Sequence, residues 1–149
     1  MGKATSSIEI EASPEKVFDF VISDKGNDIM MKDVAEGKWT STGPIGLGST
    51  AYYVGVHKRN KGEEWNAVVT EFVKNKSLTM LLKGANEHTH DQTNYYTFEP
   101  TTKGTKFTFS MDYEMPSILG KLLNLLVAKR MIEGWLAKMV ENLKKALEA

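Results

Sequence analysis

Cysteine is absent from all 149 residues. That one absence removes disulfides, thiolate nucleophiles and cysteine-based metal sites, and it agrees with a reducing compartment, so a cytoplasmic location is expected. Charge of one sign is missing too. Nineteen basic residues balance nineteen acidic ones, so no overall field draws the chain to nucleic acid or to an anionic membrane, and no nucleic-acid partner is expected. No apolar run is long enough to span a bilayer, and no secretory h-region lies near the start. The opening Met1-Gly2-Lys3-Ala4-Thr5-Ser6 matches the myristoylation pattern by letter, but the pattern is too short to support a lipid anchor. There is no Ser–His–acid set, no paired-carboxylate motif and no His-Glu-x-x-His, so nothing marks a catalytic centre. No repeat or low-complexity linker divides the chain. One domain, 1–149, with a substantial core is expected, and neither cofactor nor metal is called for.

What the chain does have is a long helical signal after Pro116. From Ser117 to about Leu147 it reads as one segment of roughly thirty residues, about 45 Å long, enough to cross a whole domain. Ile132, Leu136, Met139, Val140, Leu143 and Leu147 form an apolar stripe at helical spacing, with charged and polar residues opposite. Earlier, Ile118, Leu119, Leu122, Leu123, Leu125, Leu126 and Val127 make a wider stripe centred roughly 80° away on an ideal wheel. The segment therefore either bends near Lys129–Gly134 or begins as a separate short helix, with Gly120 and Gly134 as the weak points. Lys129 falls close to the middle of the apolar face. It either snorkels past the edge of that face or places a cation in a cavity.

The rest reads mainly as strands. Residues 5–12 alternate, with Ile8, Ile10 and Ala12 on one face. Ser13-Pro14-Glu15 starts a short helix with Ser13 as N-cap. Asp24–Met31 reads as a second short helix or an irregular turn, interrupted by Gly26. Strands follow at 34–42, 49–59, 63–73, 77–84, 91–99 and 105–114, separated by short turns, which implies an antiparallel meander. The predicted layout is α+β: about seven antiparallel strands with two short helices between the first and second, wrapped around a long C-terminal helix.

This order is carried by several local phrases. They are Ala12-Ser13-Pro14-Glu15-Lys16-Val17-Phe18, Gly43-Pro44-Ile45-Gly46-Leu47-Gly48, Val69-Thr70-Glu71-Phe72 with Lys76-Ser77-Leu78, and Tyr96-Thr97-Phe98-Glu99-Pro100 leading to Gly104-Thr105. In that order and spacing the chain resembles, over its whole length, the START-related (SRPBCC) superfamily with the helix-grip fold. It looks closest to the polyketide-cyclase/dehydrase branch, beside the coenzyme-Q-binding-like proteins. The resemblance implies a cavity between sheet and long helix. It does not select an activity, because carriers, enzymes and protein-binding modules share that scaffold.

Two motifs invite other chemistry. Gly43–Gly48 looks like a phosphate cradle, but a strand rather than a helix follows it and no Lys comes after Gly48, so a tight turn is expected. Glu87-His88-Thr89-His90-Asp91 has metal-ligand residue types at usable spacing, but no third matching His lies near, so a solvated loop is expected. His57, beside Lys58, Arg59 and Lys61, reads as an exposed hairpin tip.

The candidate ligand-binding residues follow from the strands that would face the helix. Phe107, Phe109, Met111 and Tyr113 would oppose Leu122, Leu126, Ile132 and Leu136. In sequence terms this could be plain core; the resemblance implies a cavity there instead. If Phe98 points inward, Asn94 and Tyr96 enter on the same face, and Lys129 could add a charge. An apolar pocket with a few convergent polar groups is what recognition of a hydrophobic small molecule requires. Binding or transport of such a molecule (lipid, isoprenoid or polyketide-like) is the leading expectation. One alternative is an enzyme that cyclises, dehydrates or hydrates it, with Tyr96 or Tyr113 as acid and Lys129 steadying an enolate. The other is a protein-interaction module of the chaperone- or ribosome-binding type, which an exposed apolar patch around Asn27–Val34 would favour.

Overall fold

The computed structural model describes residues 2–114 and 121–149, with residues 121–125 described by backbone only. The elements are β1 (Gly2–Ile10), α1 (Pro14–Ile22), α2 (Asp24–Met30), β2 (Ala35–Trp39), β3 (Thr50–Gly55), β4 (Glu64–Val73), β5 (Ser77–Gly84), β6 (Gln92–Pro100), β7 (Thr105–Tyr113) and α3 (Lys121–Glu148). One antiparallel sheet runs β1-β7-β6-β5-β4-β3-β2. This is the helix-grip layout that the strand order predicts. Strands adjacent in sequence pair directly from β2 to β7, and β1 closes the far edge against β7. The β1 strand begins at Gly2 rather than residue 5, because β7 supplies a partner for every residue from Gly2 to Ile10.

Ser13 caps α1 as its position suggests, its hydroxyl accepting from the Lys16 amide at 3.2 Å. Ser23 does the same for α2, which is a true helix rather than an irregular turn. Gly26, the apparent interruption, is there for close approach: a Cβ at that position would overlap the Phe20 carbonyl of α1. Trp39 then donates its indole N–H to the Ile22 carbonyl at 2.9 Å, tying edge strand β2 to the end of α1.

Alternation is interrupted once. Trp65, Ala67 and Val69 point inward along β4, then a bulge between Val69 and Glu71 shifts the parity, so that Phe72 turns to the same side. Phe72 packs edge-on against Phe18 of α1, with ring centroids 5.3 Å apart. Phe18 continues to Phe98 (5.1 Å) and Phe98 to Phe107 (5.2 Å), a chain of aromatic contacts that fills the space beneath α1.

The α3 helix runs unbroken through Gly134 for 28 residues, about 42 Å. A break at Gly120 would lie outside the described residues. Ile132, Leu136, Met139, Val140 and Leu143 are buried. At its C-terminal end Lys144 donates to the Glu9 carbonyl (2.7 Å) and pairs with Glu148 (2.7 Å), while the Glu11 amide donates to Glu148 (2.8 Å). The helix end is thereby pinned to β1. Among the described residues no helix is long and apolar enough to cross a membrane.

Gly26 supplies a test of this packing. Helix propensity alone would have Gly26→Ala stabilise the protein by about 1 kcal/mol. The overlap with the Phe20 carbonyl should reverse the sign and cost about 1–3 kcal/mol, read as a lowered urea midpoint with an unchanged slope.

Candidate ligand-binding site

The helix meets the sheet closely only along part of its length. Toward its N-terminal half a cavity of about 440 Å³ opens between α3 and the inward faces of the sheet. From α3 it is lined by Val127, Ala128, Met131, Ile132, Trp135, Leu136 and Met139. Opposite stand Tyr53 (β3), Trp65 (β4), Leu82 (β5), Asn94 (β6), and Phe109, Met111 and Tyr113 (β7). Met31, Val34 and Ala35 close the side between α2 and β2. Arg59, Asn60, Glu63, His90, Asp91, Gln92 and Glu114 form the polar rim.

The inward residues of β6 show how the cavity ends. Gln92 is half-buried at the rim, Asn94 is 4% exposed in the wall, and Tyr96 and Phe98 are 2% exposed beyond it. Phe98 does point inward, as expected, but α1 covers that end and Phe18 occupies the space. Of the sequence-predicted residues, the structure therefore brings Asn94, Phe109, Met111, Tyr113, Ile132 and Leu136 together around the cavity.

Five others lie outside the cavity lining. Tyr96, Phe98 and Phe107 are core side chains behind the wall, in mutual aromatic contact and without a place in the cavity lining. Leu126 is 56% exposed, as is its neighbour Val127. Lys129 is exposed as well and is not among the residues that line the cavity. Leu122 falls where only backbone is described.

Sequence reasoning missed most of the far wall. Trp65 and Leu82 could have been found, since both sit on the inward parity of their strands, with Ala67 and Val69 and with Met80. Tyr53 is likewise inward on β3, and its ring lies over Gly37, where a Cβ would overlap it. Met31 and Val34 carry no signal, because only the fold sets their connection against the helix. His57 also departs from expectation. The strand before it ends at Gly55, and buried Asn60 organises the turn by accepting from the His57 amide (2.9 Å) and donating to the Val34 carbonyl (3.0 Å). The His57 ring then packs edge-on against Trp135, at 5.1 Å, beside the cavity.

A ribbon of neutral hydrogen-bonding groups runs along the floor. The Gln92 amide donates to Asn94 Oδ1 at 3.2 Å, and Asn94 Nδ2 lies 3.5 Å from the Tyr96 hydroxyl. Tyr53 donates to Asn27 Oδ1 at 3.4 Å. Burial, and secondarily Asp24, pushes the Tyr53 phenol up to about 12, and burial raises Tyr96 still further. Both are neutral hydroxyls at any physiological pH. Tyr113 is also raised, by burial and then by Glu133.

At the rim, burial raises the half-buried Glu63 carboxyl, opposed by nearby His90. His90 Nδ1 lies 3.8 Å from Glu114, whereas His88 sits beside Glu87 at 3.6 Å, so the two histidines do not converge. Among the described residues no three His, Asp or Glu side chains gather as metal ligands. A second concavity, wider and more open at about 1010 Å³, crosses the outer side of β2 and β3. Asp28, Lys32, Asp33, Glu36, Lys38 and Lys58 make it a charged surface unsuited to an apolar guest.

The sequence profile of a family described as polyketide cyclase/dehydrase and lipid transport matches residues 1–148. No curated protein matches the chain. Among solved structures it is similar to TTHA0849 of Thermus thermophilus, with TM-score 0.78 and 19% identity over 98% of this chain and 97% of that one. It is similar also to the Aha1 dimer protein of Colwellia psychrerythraea (TM-score 0.62, 20% identity, 99% and 97% covered). A third is DynU16, a protein of the dynemicin biosynthetic locus (TM-score 0.67, 11% identity), where all of this chain covers 48% of the other. At such identities the likeness is one of fold.

The Glu63 environment has a pH consequence. A carboxyl whose folded pKa is raised binds its proton more tightly folded than unfolded, so stability falls as pH rises above 4.5 through the raised value. Glu63→Gln should therefore melt higher than wild type near neutral pH, with the gap closing as pH falls through the raised value toward 4.5, as checked by thermal melts across the range. A gap independent of pH would show that charge at Glu63 is not the cause.

Proposed function

The chain belongs to the polyketide cyclase/dehydrase and lipid transport family, and from that premise we propose that it binds or carries a hydrophobic small molecule, lipid, isoprenoid or polyketide-like, between α3 and the sheet. One observation carries the reading: a cavity of about 440 Å³ walled by aliphatic, aromatic and methionine side chains, with an amide in its floor. Its size falls within the range of roughly 300–1,000 Å³ typical of small-molecule sites. Burial supplies the affinity at about 25 cal/mol per Å² of apolar surface. A guest hiding about 200 Å² gains about 5 kcal/mol that way, against a net of about 1 kcal/mol for one hydrogen bond. Apolar contact thus sets how tightly a guest binds, and the polar floor sets how it sits. Phe109, Met111, Tyr113, Ile132 and Leu136 are the proposed contacts from the sequence reading, joined by Trp65, Met131, Trp135 and Met139.

The same geometry weighs against the two alternatives. The groups offered for chemistry are scattered. Tyr96 is behind the wall, Lys129 is on the surface, and only Tyr113 lines the cavity, with a pKa raised away from useful acidity. Nor does the Asn27–Val34 stretch offer an apolar docking patch. Met30, Met31 and Val34 are buried, while Asp28, Lys32 and Asp33 face solvent.

Filling the cavity provides the test. Ala128 is half-buried in the helix wall, and Ala128→Trp should occupy the space without disturbing the pinned half of α3. Native mass spectrometry of the wild-type protein, before and after solvent extraction, should show an apolar adduct that is lost on extraction. The variant should lack it, and should bind an apolar fluorescent probe at least tenfold more weakly with an unchanged melting temperature. Equal probe binding by the two proteins would overturn the assignment of the site.

A further inference from the structure

We propose that the guest carries a neutral carbonyl oxygen and that Asn94 recognises it; this rests on the binding reading above. The argument begins with an inventory. An asparagine amide has two N–H donors and a carbonyl acceptor. Asn94 is 4% exposed, and it lines the cavity wall. Its Oδ1 is engaged by Gln92 at 3.2 Å. Its Nδ2 has one protein partner among the described residues, the Tyr96 hydroxyl, at 3.5 Å, the outer limit of a hydrogen bond. One N–H is left over, and Asn94 lines the cavity. Turning the amide over exchanges the roles of its neighbours and still leaves one N–H to spare.

A guest that fills the cavity displaces whatever water meets this N–H, so a guest without an acceptor leaves the donor unmet and a guest that supplies one does not. The surroundings select the kind of acceptor. A carboxylate beside Asn94 would need a compensating charge there, but among the described residues Lys129 lies on the surface and the basic groups of the lining, Arg59 and His90, stand at the exposed rim. The two phenols near the floor, Tyr53 and Tyr96, stay protonated, so they add dipoles and no charge. An ionised guest would therefore bring an unpaired buried charge. A pure hydrocarbon would leave the N–H unmet. A ketone, quinone or ester carbonyl requires only what the floor has to spare. The guest accordingly sits with its carbonyl at Asn94 and its apolar body between Trp65, Met111, Met131 and Trp135.

A matched pair of rigid tricyclic probes tests this, fluorene and 9-fluorenone, which share a skeleton and differ by one carbonyl. Dissociation constants are measured by displacement of N-phenyl-1-naphthylamine. Hydrophobicity alone ranks fluorene as the tighter ligand, because the ketone is better solvated by water. The proposal expects the reverse, fluorenone binding wild type about tenfold more tightly. Asn94→Leu should erase or invert that preference, and the infrared stretch of carbonyl-labelled fluorenone should lie lower in wild type than in the variant. The wild-type comparison needs no variant, so it decides even if Asn94→Leu fails to fold. Fluorene binding as well as fluorenone would overturn the carbonyl assignment and leave the cavity reading standing. Binding of neither probe, with no displacement of the naphthylamine, would overturn both.

Discussion

Everything in this molecule depends on where α3 is held. Leu136, Met139, Val140 and Leu143 are driven out of water against the sheet, and Lys144 with Glu148 fastens the helix end to β1. A stiff helix about 42 Å long anchored over one part of its length cannot also collapse onto the sheet elsewhere unless large side chains meet it there. Beneath α1 they do, through Phe18, Phe98 and Phe107. Beside the stretch of α3 from Val127 to Met139 the described side chains leave a gap, and the gap is the cavity. The empty space follows from the same hydrophobic packing that stabilises the rest of the molecule.

The polar content of that space is chosen with equal economy. Among the described residues no charged group is placed on the floor, and neutral groups lead from Gln92 to Asn94, with the Tyr96 hydroxyl behind the wall. A buried ion would have to be paired or neutralised; a buried amide asks only for hydrogen bonds. Charge is confined to the rim, where Arg59, Glu63, His90 and Glu114 meet solvent. Interior and rim thus divide the work between holding an apolar body and keeping the entrance wet.

The fold was largely legible in the chain. Strand alternation, the Ser13 cap and the helical stripe each report a period or a local hydrogen bond, and those survive into three dimensions. The β4 strand shows where legibility fails. Trp65, Ala67 and Val69 share one parity and Phe72 the other, and only a bulge reconciles them. The site was half legible. Residues on β6 and β7 could be assigned to the inward face, but which of them meet a cavity depends on α1, and no pattern in β6 announces that Phe18 will cover Phe98. Leu126 and Lys129 failed for a related reason. Both are exposed, and two stripes of similar strength in the sequence do not say which one the sheet grips. Met31 and Val34 enter through a connection whose position belongs to the tertiary structure alone.

Four of the chain's eight methionines, Met31, Met111, Met131 and Met139, stand around the cavity. Unbranched thioethers change rotamer cheaply and are soft enough to follow the outline of whatever they touch. Walls built this way mould to guests of several shapes, so selectivity falls to the rigid polar floor rather than to steric fit. The same sulfurs are the chain's principal oxidisable atoms, since it has no cysteine. Oxidation would turn each apolar thioether in the wall into a polar sulfoxide. Under the proposed function, oxidation of these thioethers would register as a loss of affinity, reversible wherever a sulfoxide reductase can reach them.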